Sequence, residues 1–290
     1  MKELVVISGK GGTGKTSITG ALAVLWPDAV FADCDVDASN LPILLNPEIR
    51  EKMPFSGGKK ARILEDNCTG CGLCESLCSF HAISQVGNGM YQVDSLACEG
   101  CGLCFRACPT NAIRFEPVIN GDLYVSHTAW GKLIHADLYP GEENSGKLVT
   151  AVRQKAGEIA DAEGKTWILT DGAPGTGCPV IASLTGATGV LIVTEPGVSA
   201  IHDLERIVEL TNYFSIPAMI LINKADISPE QRKRIRAIAK RESIPVLGEI
   251  PYHSSFTQSQ IKGQPVTLEG EPELRRLFED LKQDILEKLA

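Results

Sequence analysis

The chain has 290 residues, of which 43% are hydrophobic and 22% charged, with a formal net charge of −8. The acidic balance argues against a nucleic-acid binder, which carries a basic footprint, and the absence of any run of about 18 apolar residues excludes a membrane-spanning helix. Ten cysteines without a secretory leader point to metal binding in a reducing, cytoplasmic compartment rather than to disulfides.

In chain order, an apolar run at 4–8 predicts a first strand, and GKGGTGKTS leads from it into a predicted helix at 15–25. A second strand is predicted at 29–33, within the run ADCDVD (32–37). The pattern then breaks between about Pro54 and Pro117, a stretch that holds eight of the ten cysteines. Beyond it, predicted strands at 122–127, 132–137, 167–170, 189–194, 218–222 and 246–250 alternate with predicted helices at 146–162, 178–184, 199–213, 229–241 and 273–289. Such alternation predicts an α/β fold, a mainly parallel sheet with helices on both faces. A small α+β domain at 56–116 is expected to interrupt it, leaving 1–55 and 117–290 as the larger domain.

The interrupting stretch contains a repeat. Cys68, Cys71, Cys74 and Cys78 are spaced C-x2-C-x2-C-x3-C, and Cys98, Cys101, Cys104 and Cys108 repeat that spacing 30 residues later. Segments 67–83 and 97–113 match along their length, as two copies of one unit do. The pattern resembles a two-cluster bacterial ferredoxin, in which the fourth cysteine of each run ligates the other cluster. That resemblance implies one [4Fe–4S] cluster on Cys68, Cys71, Cys74 and Cys108 and a second on Cys98, Cys101, Cys104 and Cys78. Structural zinc also uses four cysteines, but zinc ribbons pair two separated C-x2-C knuckles and do not require three cysteines in a row plus a fourth, twice.

At the N-terminus, Gly9, Lys10, Gly11, Gly12, Thr13, Gly14, Lys15, Thr16 and Ser17 satisfy G-x4-G-K-[ST] between a strand and a helix. Glycine backbone N–H groups and the helix N-terminus suit phosphate oxygens; Lys15 is expected to reach the β- and γ-phosphates, and Thr16 a Mg²⁺ ion. The additional Lys10 makes the loop resemble the deviant P-loop of the MinD/ParA/Mrp and nitrogenase Fe-protein superfamily. That resemblance implies that Lys10 crosses to the nucleotide of a second subunit, so that ATP is sandwiched in a dimer. It also implies that Asp35, with Asp33 beside it, orients or activates the attacking water, that Asp171 lies near Mg²⁺, and that Asn223, Lys224, Pro251 and Tyr252 contact the base. The run NKAD (223–226) also spells N-K-x-D, which reads guanine in GTPases, so ATP and GTP both stay open on these residues, with ATP favoured by the remaining motifs.

Over almost its whole length the chain resembles MinD-superfamily ATPases with an inserted ferredoxin domain, relatives of which are associated with the orange-protein complex of anaerobes; the segment YPGEENSGKLV (139–149) shares that character. The resemblance implies ATP/ADP, Mg²⁺ and two [4Fe–4S] clusters as cofactors. It further implies an ATP-dependent homodimer, or a heterodimer with a paralogous ATPase, and a redox or metal-cofactor protein as partner. The expected function is nucleotide-controlled electron transfer through the clusters; the alternative is a cluster assembly or carrier ATPase of the Mrp branch. Cys178 stands seven residues after Asp171, where the nitrogenase Fe protein has a cluster ligand. It reads either as a ligand at a dimer interface or as a small buried thiol. Cys34 reads as structural, His81 as a surface histidine, the basic run at 231–236 as a solvated face, and the amphipathic last helix as packing on the sheet.

Overall fold

The computed structural model describes residues 1–269 and 271–290. The chain runs β1 (Lys2–Ser8), α1 (Lys15–Leu25), β2 (Ala29–Asp33), α2 (Leu41–Leu45), β3 (Glu48–Phe55), β4 (Gly58–Ile63), α3 (Leu73–Leu77), β5 (Ile83–Gln85), β6 (Tyr91–Val93), α4 (Leu103–Ala107) and β7 (Ile113–Val118). It continues through β8 (Gly121–His127), β9 (Lys132–Leu138), α5 (Ser145–Ala162), β10 (Trp167–Pro174), α6 (Cys178–Leu184), β11 (Gly189–Thr194), α7 (Val198–Tyr213), β12 (Ala218–Asn223), α8 (Pro229–Arg241), β13 (Val246–Ile250), α9 (Ser254–Lys262), α10 (Val266–Glu269) and α11 (Pro272–Lys288).

These elements form two compact units, Met1–Lys52 with Leu123–Asp137 and Ser145–Ala290, and Met53–Asp122 with Leu138–Asn144. The second unit is therefore wider than the expected 56–116 and takes in a separate piece of chain. That piece is held by Glu142, whose carboxylate pairs with Lys60 at 2.8 Å and accepts from Asn120 Nδ2 at 2.5 Å. A distant segment joined through such side-chain contacts leaves no local pattern to read.

The large unit is built on a nine-stranded sheet in the order β13–β12–β11–β1–β10–β2–β9–β8–β3. The pairs from β13 through β9 are parallel. Alternate side chains of β1 feed opposite cores, as strand geometry requires. Leu4 and Val6 pack with Ile18 and Leu22 of α1 and with Phe278, Leu281 and Ile285 of α11. Val5 and Ile7 pack with Val180 of α6, Leu204 and Ile207 of α7, and Ile235 of α8. The apolar stripe of α11 is thus buried in the core and its acidic face is left outward. The basic run on α8 is largely neutralised: Arg236 and Arg232 face Glu249, and Arg234 faces Glu230. Strand β3 was not predicted because its first five residues are all exposed and supply no apolar alternation.

The small unit holds two antiparallel pairs, β4 with β7 and β5 with β6, around a core that includes Ala61, Ile83, Cys104 and Ile113. The 30-residue repeat persists in the backbone: His81 and Asn111 both adopt φ 51°. That shared left-handed position accounts for the exchange of histidine for asparagine, both of which tolerate it better than most residues. Gly100 has φ 64°, and a Cβ there would fall on the Lys59 carbonyl. Gly100→Ala is therefore expected to destabilise this unit by about 1–3 kcal/mol, through steric overlap added to backbone strain. Gly141, at φ 77° with open space around it, carries the strain alone. Thermal unfolding that shows Gly141→Ala to be the more damaging of the two would contradict the assignment.

Candidate functional site

The sheet brings three loops to one edge. Strand β1 lies between β10 and β11, and the P-loop leaves its C-terminal end, where phosphate ligands sit in open parallel sheets. In register, Asp171 of β10 is opposite Asp33 of β2, so both carboxylates emerge beside that loop. Lys15 opens α1 and is 5% exposed. Its ammonium lies 2.9 Å from Asp171 Oδ1 and 3.7 Å from Asp35 Oδ2. Burial pulls Lys15 down, but the charges of Asp171, Asp33 and Asp35 outweigh it and hold the ammonium above the ordinary lysine range. Asp171 also accepts from Thr16 Oγ1 at 2.7 Å and from Thr19 Oγ1 at 2.9 Å.

Asp33 is fully buried and shapes the loop behind it, accepting from Asp35 N, Ser39 Oγ and Leu41 N. Burial and the neighbouring Asp171 charge push its carboxyl up to about 7 from 3.8, against the pull of Lys15. Between those values the folded chain binds a proton that the unfolded chain releases. The resulting stability is complete below about pH 4 and is lost as pH rises through about 7. The nucleotide-free protein is expected to lose on the order of a few kcal/mol over that window from this group. Denaturant midpoints measured from pH 4.5 to 8 should flatten in Asp33→Asn; a slope that persists unchanged in that variant would rule Asp33 out as its source. Burial likewise raises Asp35, partly offset by Lys15.

A cavity of about 790 Å³ opens over these groups, lined by Gly11–Ser17, Asp35, Asp37, Asn40, Ile43, Pro174 and Gln260, among others. Its size is that of a small-molecule pocket. Two observations fit a Mg-nucleotide. Thr13 Oγ1 is buried with no hydrogen-bond partner among the described residues, as suits a phosphate-facing hydroxyl. Two carboxylates, Asp171 and Asp35, also share the single ammonium of Lys15, an excess of negative charge that suits a divalent cation near Thr16 and Asp171.

In the small unit, Cys68, Cys71, Cys74 and Cys108 line one cavity together with Ile63, Tyr91 and Ile113. Three thiols come from the first cysteine run and the fourth from the second. Cys78, Cys98 and Cys104 pack in the core of the same unit, and Cys101 is exposed. Backbone N–H groups of Ala82 and Ala112 donate to Cys78 Sγ at 3.4 Å and Cys108 Sγ at 3.3 Å, four residues on in each repeat. Such donors suit thiolates that carry a cluster. Among the described residues no three His, Cys, Asp or Glu side chains close around a single-ion position.

A model of the CobQ/CobB/MinD/ParA nucleotide binding domain matches residues 4–266. The chain belongs to this family. An uncharacterized protein of Methanocaldococcus jannaschii is 33% identical over 226 residues, covering 77% of this chain and 78% of the relative. An iron-sulfur cluster carrier protein of the same organism is 21% identical over 285 residues, covering 92% and 78%. Among solved structures, the septum site-determining protein MinD complexed with Mg-ADP from Pyrococcus horikoshii superposes with a TM-score of 0.60 at 16% identity, covering 98% of this chain and 95% of that one. The likeness establishes the shared α/β fold.

In this MinD/ParA-family chain, the P-loop, Asp35 and Asp171 meet as described, and Asn223 and Lys224 both bond to P-loop carbonyls. Asn223 lies beneath the P-loop and donates from Nδ2 to Thr13 O at 2.7 Å. A Cβ on Gly14, at φ 93°, would collide with that amide. Asn223, Lys224, Pro251 and Tyr252 are not among the residues lining the cavity; Tyr252 is exposed and donates its N–H to Asp226. Lys10 pairs with Glu195 at 2.8 Å. Cys178 is exposed at the start of α6, not buried, whereas Cys34 is fully buried. Two contributors escaped the sequence reading. Gln260 of α9 lines the cavity and donates to Ser17 Oγ at 3.0 Å. Glu195 accepts from both Lys10 and Lys224, whose bonds overcome burial and hold its carboxyl below the usual range. Its position just past a predicted strand, like those of Asp35 and Asp171 at strand ends, was the available signal.

Proposed function

We propose that this protein is a Mg-dependent ATPase that works as a nucleotide-dependent dimer and carries two [4Fe–4S] clusters in its small unit, with nucleotide state controlling electron transfer to a redox or metal-cofactor partner protein. The observation that carries the reading is the pairing, in one chain, of the Lys15–Asp171–Asp35 site with a cavity lined by Cys68, Cys71, Cys74 and Cys108. Lys15 would neutralise charge on the transferred phosphoryl group, Thr16 and Asp171 would hold Mg²⁺, and Asp35 would accept a hydrogen bond from the attacking water. In the small unit, Cys68, Cys71, Cys74 and Cys108 would hold one cluster and Cys98, Cys101, Cys104 and Cys78 the other. Bound clusters supply one-electron chemistry.

Coupling between two sites is typically about 1–3 kcal/mol, which corresponds to roughly 40–130 mV for one electron. Gating of partner access is therefore as strong a route as tuning of potential. The test is to reduce the reconstituted protein and follow electron transfer to a redox partner, with and without MgATP, alongside redox titrations of the clusters. A nucleotide-dependent rate or potential is expected; identical rates and potentials in both conditions would end the reading. The relative named as an iron-sulfur cluster carrier, aligned over most of this chain, favours a second reading in which a cluster is cargo. Labelled iron passing to an apo-acceptor would support it.

A further inference from the structure

One carboxylate serves two ammonium groups beside the P-loop. Strand β11 runs parallel to β1, with Ile192 opposite Ile7, and Glu195 follows directly after its last residue. Glu195 Oε1 lies 2.8 Å from Lys10 Nζ and Oε2 lies 2.8 Å from Lys224 Nζ. The two lysines are held unequally. Lys224 also donates from Nζ to Gly12 O at 2.9 Å, and its backbone N–H is fixed on Asn223 Oδ1 at 3.0 Å. Among the described residues Lys10 Nζ has, besides Glu195, one 3.4 Å contact to Ser199 Oγ; the two side chains are about equally exposed, 32% for Lys10 and 28% for Lys224.

We propose that Glu195 is a positioning residue for Lys10: it parks the Lys10 ammonium within its own protomer and releases it to the phosphates of a nucleotide on a second copy of the chain. This rests on the reading of the protein as a nucleotide-dependent dimer. Departure of Lys10 leaves Glu195 still neutralised by Lys224, so no unpaired carboxylate results. A polyphosphate offers Lys10 more negative charge than half of one shared carboxylate does. Charge shared in this way lets Lys10 move between partners while Lys224 stays on the Gly12 carbonyl and keeps the loop in shape.

The test is sedimentation velocity of the full chain over a range of concentrations, with Mg²⁺ and a non-hydrolysable ATP analogue. The wild type is expected to dimerise. Glu195→Gln should lower the protein concentration at half-dimerisation by about two- to fivefold, the factor that a partly exposed ion pair represents. Glu195→Asp, which keeps the charge, should stay near wild type. In a Lys10→Ala background Glu195→Gln should produce no shift, since the pair is already broken. A midpoint that does not move or rises in Glu195→Gln, or an equal shift in the Lys10→Ala background, overturns the proposal while the dimer reading stands. A wild type that stays monomeric at every concentration overturns the dimer reading and the proposal with it.

Discussion

Lys15→Ala is expected to lower ATP hydrolysis by about 10²–10³-fold, the loss seen when one charge-stabilising group is removed from a preorganised site. The same substitution is expected to destabilise the nucleotide-free protein by about 3–5 kcal/mol, because it breaks a buried ion pair on one side only. Asp171 is fully buried, and Lys15 is the cation that ion pairs place beside it and beside Asp35. Threonine hydroxyls from Thr16 and Thr19 then remain as the hydrogen-bond donors to Asp171, and these do not cancel its charge. Added Mg²⁺ should recover part of the lost stability in Lys15→Ala by supplying the missing positive charge near Thr16 and Asp171. Steady-state hydrolysis and denaturant melts with and without Mg²⁺ read both effects. Hydrolysis within tenfold of wild type would remove Lys15 from the proposed mechanism.

Cys108→Ser is expected to lower the iron content of the reconstituted chain by roughly half, since serine oxygen is a harder ligand than thiolate and each cluster draws on four cysteines. The crossing ligand is the informative one to change. Cys108 belongs to the second run by sequence but lines the cavity of the first, so its loss should deplete the cluster held by Cys68, Cys71 and Cys74. Cys78→Ser should deplete the other. Cys178→Ser should leave the iron content of the reconstituted chain unchanged, as that thiol belongs to the large unit and both cysteine runs to the small one. Iron and sulfide analysis with EPR of the reduced protein separates these outcomes. Full iron retention in Cys108→Ser would refute the crossed ligand set, and zinc in place of iron and sulfide would refute the clusters.

Much of this was legible along the chain because its signals are local. The apolar run at 189–194 coincides with β11, buried along its whole length, since a strand buried on both faces is written as a continuous apolar run. The P-loop was readable because its glycines and Lys15 act within a few residues of one another. What escaped depended on distant partners. Strand β3 is exposed and charged, α9 carries no buried residue, and Gln260 reaches the cavity only through where that helix is laid. The bond of Asn223 to Thr13 was not legible either, because it joins residues 210 positions apart.

By itself the sequence determined the strand–loop–helix phosphate motif, the alternation that produces a parallel sheet, and the two cysteine runs with their 30-residue repeat. Each is a pattern of neighbouring residues whose periodicity or spacing carries its own physical meaning. Tertiary structure alone decided that Asp171 and Asp33 stand side by side, that Gln260 reaches the nucleotide-sized cavity, and that Glu195 shares itself between Lys10 and Lys224. Those facts follow from strand order and loop packing, and charges far apart in the chain acquire their roles only when the fold sets them a few ångströms apart.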